Sequence, residues 1–457
     1  MSNGMRVWEV IAAIAVILTL LFGLLVAPKM TAVTYNGSSD PIAPTEKLDD
    51  EVMTEVSEPE APDTRPVVQH VPLPDQVKNI YMSACVAGTP SFRDSLIALT
   101  ERTEVNSIII DIKDYSGSIA FPPAGDTWQP AWQKAECGAR DMQELIAALH
   151  ERDIFVIGRI TVFQDPYYTT TNPEHAVKRA DGVTVWQDHK GLSFVDVAAR
   201  PYWDHVIELA VESYNIGFDE LNFDYVRYPS DGNMQDISFP NSMAGEYGAD
   251  KQANLEAFFS YLHEAMTDPE RFTAVRHENT GREEAIPYTS ADLFGMTTTN
   301  TDDLSIGQIL ERAVPYFDFI APMVYPSHYP DGSFGYGDPN EYPYEIVHIA
   351  MKGGVERLKA TSTVVEGFSH EPIYSTNASG TKIFTGRYSK ESYLATKLRT
   401  WIQDFDYGGD YDAADVRAQF QASYDAGVGS WMIWAPSNRY TEAALLPADA
   451  GIDAIAQ

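Results

Sequence analysis

Eight runs rich in β-branched and aromatic residues alternate with helix-length segments between Asn79 and Pro436, and this alternation restricts the fold more than any other feature of the chain. The runs are NIYMSA (79–84), NSIIIDIKDY (106–115), IFVIGRITVF (154–163), GFDELNFD (217–224), IPYTSADLFGM (286–296), FDFIAPMVYP (317–326), LRTWIQDF (398–405) and VGSWMIWAP (428–436). Stretches such as RDMQELIAALHERD and ANLEAFFSYLHEAM separate them. Strands joined by helical crossovers pair in parallel and need helices over their outer face. Eight such units within about 360 residues predict an α/β fold, a TIM-type (β/α)8 barrel. An open doubly wound sheet is the rival, but no G-x-G-x-x-G turn follows the first strand, so nucleotide binding has no support. TVVEGF (363–368) competes for the seventh position; taking LRTWIQDF instead makes 369–395 an insertion.

Within GFDELNFDYVRYP (217–229) the period of two puts Glu220, Asn222 and Asp224 on one face and Leu221 and Phe223 on the other. The apolar face meets helices, and the polar face lines the barrel interior, which opens into a site at the carboxyl ends of the strands. Asp224 falls at that opening. Other strand ends also carry groups unsuited to a simple core: Asp111, Lys113 and Asp114; Arg159; Arg227; Asp292; Tyr325; Gln403 and Asp404; Trp434. Converging carboxyls with aromatic platforms suit acid/base attack on a glycosidic bond, which needs one carboxyl protonated and another ionised. Asp224, Asp292 and Asp111 are the catalytic candidates; Lys113, Asp114, Arg159, Arg227, Tyr325, Asp404 and Trp434 are the substrate-binding candidates. Asp111 with Lys113 on one strand face reads equally well as a buried ion pair. Arg227 reads also as a partner neutralising Asp224, and Asp292 as a loop cap. No cofactor or metal is expected, since neither His328 nor His370 stands in a ligand-spaced cluster such as H-E-x-x-H. No G-x-S-x-G elbow marks a serine nucleophile.

A net charge of -34 argues against nucleic acid as a partner and favours an uncharged polymer. Residues 7–27, VWEVIAAIAVILTLLFGLLVA, carry only Glu9 as a charge and are long enough to cross a bilayer as a helix. An uncleaved single-pass anchor is therefore expected behind a short tail (1–6), with the body outside the cytoplasm. Residues 28–75, rich in Glu, Asp and Pro, read as a disordered linker. The barrel then spans 76–445 and a tail 446–457. Cys85 and Cys137 are the two cysteines, either one bridge or two core thiols.

Taken together, IIIDIKDYSG (108–117), GRITVFQDP (158–166), GFDELNFDYVRYPSDG (217–232), SADLFGMTT (290–298), APMVYPSHY (321–329), WIQDF (401–405) and SWMIWAPSNRYT (430–441) resemble a bacterial family of glycoside hydrolase domains, itself similar to the α-amylase-type TIM barrels. The resemblance spans roughly residues 78 to 442 and implies a carbohydrate-cleaving barrel, secreted or held at the cell surface. It implies Asp224 as the nucleophile at the end of the fourth strand. At the end of the fifth strand, where amylase-type enzymes carry Glu, this chain has Asp292. The expected function is cleavage of an extracytoplasmic or cell-wall polysaccharide; the alternative is a surface module that binds carbohydrate without cleaving it.

Overall fold

The computed structural model describes residues 63–448. In chain order its strands are β1 (Val67–Gln69), β2 (Lys78–Met82), β3 (Ser107–Lys113), β4 (Phe155–Thr161), β5 (Glu220–Asp224), β6 (Arg276–Glu278), β7 (Tyr288–Phe294), β8 (Phe319–Met323), β9 (Ser362–Thr363), β10 (Glu371–Thr376), β11 (Lys382–Ser389), β12 (Thr400–Gln403) and β13 (Trp431–Trp434). Eight of them close a parallel barrel in the order β12-β13-β2-β3-β4-β5-β7-β8, with β12 sealed onto β8 through Trp401 and Met323. Each expected run contributes one barrel strand, and LRTWIQDF does supply the seventh.

Alternation along each strand sorts the two faces. Ile108, Ile110, Val156, Ile160, Leu221, Phe223, Ala291 and Leu293 join the core between barrel and helices, whereas Ile109, Phe155, Ile157, Ala321, Trp401 and Met432 fill the interior. The outer layer includes helices Arg200–Asn215, Lys251–Met266, Pro343–Lys359 and Ala413–Asp425. Asp250 caps the second of these, and Asp412 with Asp415 forms a capping box on the last, satisfying N–H groups that a helix start leaves without partners.

The polar face of β5 runs up the interior. Glu220, at its lower end, takes Arg399 Nη1 at 2.7 and 2.8 Å, both residues almost wholly buried. Asn222 sits above it and donates to Ser290 Oγ at 3.0 Å. Asp224 comes last, at the strand's carboxyl end.

Three features differ from the sequence reading or complete it. The insertion 369–395 contains a β10–β11 hairpin that joins β9 in an antiparallel sheet of its own. Cys85 and Cys137 are bridged. Residues 66–75, expected in the linker, are ordered: β1 pairs in parallel with β6, and both Val71 N and His70 Nδ1 bond to the buried Asp219. The β-branched pair Val67-Val68 supplies strand propensity inside an otherwise Pro-rich stretch. The expected anchor 7–27 and the linker up to residue 62 lie outside the described residues; among those described, no helix is long and apolar enough to cross a membrane.

Candidate active site

Strand register assembles the site. Asp111 on β3 pairs with Arg159 on β4, and Arg159 pairs with Asn222 on β5, so their side chains rise into the barrel mouth at neighbouring heights. Asp292 follows Ala291, the partner of Phe223, which brings it beside Asp224. All four charged residues are buried.

Arg159 is the hub. It donates through Nη1 to Asp111 Oδ1 at 2.7 Å and through Nε to Asp224 Oδ2 at 3.1 Å, with Nη2 also on Asp224 Oδ2. The same Nε lies 4.0 Å from Asp292 Oδ2. Above the guanidinium lies the Trp434 ring, 5.2 Å from Cζ. Asp224 Oδ1 accepts the N–H of Tyr225 at 2.6 Å, and Tyr225 holds a left-handed φ of 52° to present it. A non-glycine residue in that region stores strain, a feature that concentrates at functional sites.

Asp292 differs from its neighbours. Its Oδ1 accepts Trp401 Nε1 at 2.8 Å and Asn222 Nδ2 at 2.9 Å, whereas its Oδ2 has only the distant Arg159. Burial, and then the negative charge of Asp224, push its pKa up to about 8. Asp292 therefore favours its protonated form at neutral pH, and with Oδ1 taken by two donors Oδ2 is the oxygen available to carry the proton. Burial also raises the Asp111 carboxyl above its ordinary range, although Arg159 and the Tyr81 hydroxyl, donating at 2.5 Å, pull the other way.

A cavity of about 940 Å³ opens over these groups, at the upper end of the range for small-molecule sites. Eight of the ten sequence-derived candidates line it: Asp111, Asp114, Arg159, Asp224, Arg227, Asp292, Tyr325 and Trp434. Arg227 forms no direct ion pair with Asp224, though it feels that charge; its guanidinium lies 4.7 and 5.0 Å from the Tyr225 and Phe294 rings and donates to Tyr228 O. Nor does Asp292 cap a loop, since it lies fully buried within β7.

Two candidates stand elsewhere. Lys113 shares no face with Asp111, because a register shift between them turns it alongside the helix-facing Ile160. There it is wholly buried, bonded to Asp165 Oδ2 at 2.9 Å and Thr161 O at 2.6 Å, so the Asp111–Lys113 ion pair does not form. An extra residue in one strand breaks the alternation on which that pairing relied. Asp404 accepts Thr441 N at 2.8 Å and Thr441 Oγ1 at 2.7 Å, and it lines an adjoining compartment rather than the one over the aspartates.

Tyr81 and Trp401 belong to the site without having been singled out from the sequence. Both occupy interior-facing strand positions, which was the available signal.

Among solved structures, the chain resembles the glycoside hydrolase domain of PgaB (BpsB) from Bordetella bronchiseptica, at 12% identity over 82% of this chain and 94% of that one, with a TM-score of 0.50. That likeness supports the barrel fold. A hypothetical protein from Ruminiclostridium thermocellum is 27% identical over 44% of this chain and 95% of its own, with a TM-score of 0.35. A class V chitinase from Pseudomonas fluorescens Pf-5 is 11% identical, covering 81% and 98%, with a TM-score of 0.40. No curated protein matches the sequence significantly. The family profile described as "Putative glycosyl hydrolase domain" matches residues 79–371 and 369–440, almost the whole barrel, and the chain belongs to that family.

Proposed function

We propose that the protein hydrolyses glycosidic bonds of an extracytoplasmic polysaccharide, with Asp292 as general acid and Asp224 as nucleophile or as base for the attacking water. The observation that carries this reading is the division of labour between two adjacent aspartates: Asp292 holds its proton up to about pH 8 while Asp224 lies against the Arg159 guanidinium. Glycoside hydrolysis needs such a pair, one carboxyl to protonate the departing oxygen and one to attack the anomeric carbon or deprotonate water. After the first step Asp292 is ionised and can take a proton back from water.

One oxygen of each carboxyl lies near the same Nε, at 3.1 and 4.0 Å, so the two are at most about 7 Å apart, a bound that admits the roughly 5 Å spacing of retaining enzymes and the short end of the inverting range. Arg159 and Tyr225 N orient Asp224, while Asn222 and Trp401 orient Asp292. Trp434 and Tyr325 line the cavity and are the aromatic groups a sugar would meet there.

The place of action, a body tethered outside the cytoplasm by residues 7–27, is part of the proposal. It is supported by the apolar length of that segment and by the Cys85–Cys137 bridge, since disulfides persist in oxidising compartments. The test is turnover of a panel of cell-wall and storage glycans by the full-length protein beside Asp224→Asn. Loss of product in the variant supports the assignment; equal turnover overturns it, and glycan binding without product favours the non-cleaving module.

A further inference from the structure

The cavity over the aspartates does not end at Trp434. That ring, with Lys190, His328 and Pro436, also walls a second compartment of about 1020 Å³ that continues toward Tyr407 and Arg439. Aromatic rings run along the passage. Tyr81 lies 4.2 Å from Trp434 between centroids; Tyr325 lies 5.3 Å from His328 and 5.7 Å from Phe405; His328 lies 6.0 Å from Tyr407. The last ring, Tyr407, is 64% exposed, an uncovered apolar face at the end of a line that starts beside the catalytic candidates.

The charges there are balanced and largely spoken for. Asp404 is held by Thr441, and Asp406 accepts Tyr411 N at 2.9 Å, while Lys190 and Arg439 supply the opposite sign. Such a surface recognises by stacking and hydrogen bonding and attracts neither a polyanion nor a polycation.

We propose that the second compartment is a run of subsites for additional sugar units of one uncharged glycan chain, so that the enzyme grips a polymer across Trp434 and does not select small glycosides. Tyr407 is the outer stacking platform and determines preference for length. This inference rests on the hydrolase reading for the chemistry at one end of the cleft, but its test is separable from it.

Binding of cello-oligosaccharides and N-acetylchito-oligosaccharides of increasing length is measured by titration calorimetry on full-length Asp224→Asn, with and without Tyr407→Ala. Affinity should rise with length, and Tyr407→Ala should weaken the longest chains by about tenfold while leaving the shortest unchanged. Tyr407→Trp should restore them. Length-independent affinity, an equal loss for short and long chains in Tyr407→Ala, or no binding by either series would overturn the proposal. Release of shorter products from the longest oligosaccharides of both series by the unmodified protein, measured in parallel, reads the chemistry separately. Turnover without length-dependent binding removes the subsites alone; length-dependent binding without turnover removes hydrolysis and leaves the extended cleft standing.

Discussion

Arg159 donates from Nε to Asp224 Oδ2 at 3.1 Å across two adjacent barrel strands. Asp292, reached by the same nitrogen only at 4.0 Å, receives far less of that positive charge while feeling the full negative charge of Asp224. In a site screened from water such a difference separates two otherwise identical carboxyls, because like charges at close range resist joint ionisation. The proposed roles of acid and nucleophile rest on this asymmetry.

The rate should carry the signature of that acid. Because Asp292 must be protonated to act and its pKa is pushed up to about 8, kcat/KM should fall by only about half between pH 7 and 8 and approach a tenfold fall per pH unit well above 8. A pH–rate profile checks it; activity that is undiminished at pH 10 would assign the acid elsewhere.

Stability should show the same group. A carboxyl whose folded pKa is raised favours folding most below its unfolded pKa near 4 and loses that contribution progressively as pH rises through about 8. Asp292→Asn, which cannot ionise, should therefore unfold at nearly the same temperature as the parent at pH 4 and at a higher temperature at pH 8.5. Thermal unfolding at the two pH values measures this, and a variant less stable at the higher pH contradicts it.

Low in the barrel, Glu220 and Arg399 neutralise each other out of contact with water. Arg399→Met should cost about 3–5 kcal/mol, since it strands a buried carboxylate, whereas the pair Glu220→Leu with Arg399→Met should recover most of the loss. Denaturant unfolding of single and double variants decides between them.

The Cys85–Cys137 bridge closes a separation of 52 residues. Replacing both cysteines with Ala should lower stability by as much as about 4 kcal/mol through the freed unfolded chain, with activity at low temperature retained. Urea unfolding of the double variant provides the measure.

Strand-level patterning carried most of the architecture. Each barrel strand was announced by β-branched runs such as SIIIDIK and FVIGRIT, and the interior polar face of β5 followed from alternation alone. What alternation could not show was where it breaks. The shift beside Lys113 moved that residue to the helix side, and Gly158, where a Cβ would lie 2.2 Å from Ile112 Cδ1, leaves the room the shifted strand needs. Tyr81 and Trp401 read as core because an aromatic residue on a strand ordinarily is; the register of β2 on β3 places the Tyr81 hydroxyl on Asp111, and closure of β12 onto β8 brings the Trp401 indole to Asp292. Asp404 has the residue type and strand-end position of a site group, yet its oxygens are taken by Thr441, a partner 37 residues away that no local pattern announces.

The most direct test of the two-aspartate account varies the leaving group. An acid is needed only when the departing oxygen is poor at leaving, whereas a nucleophile or base is needed throughout. Asp292→Asn should lose about 10²–10⁴ in kcat on a natural glycan and stay within about tenfold of the parent on a dinitrophenyl glycoside, while Asp224→Asn should fail on both. Equal losses by Asp292→Asn on the two substrates, or turnover of either by Asp224→Asn at the parent rate, would contradict the account.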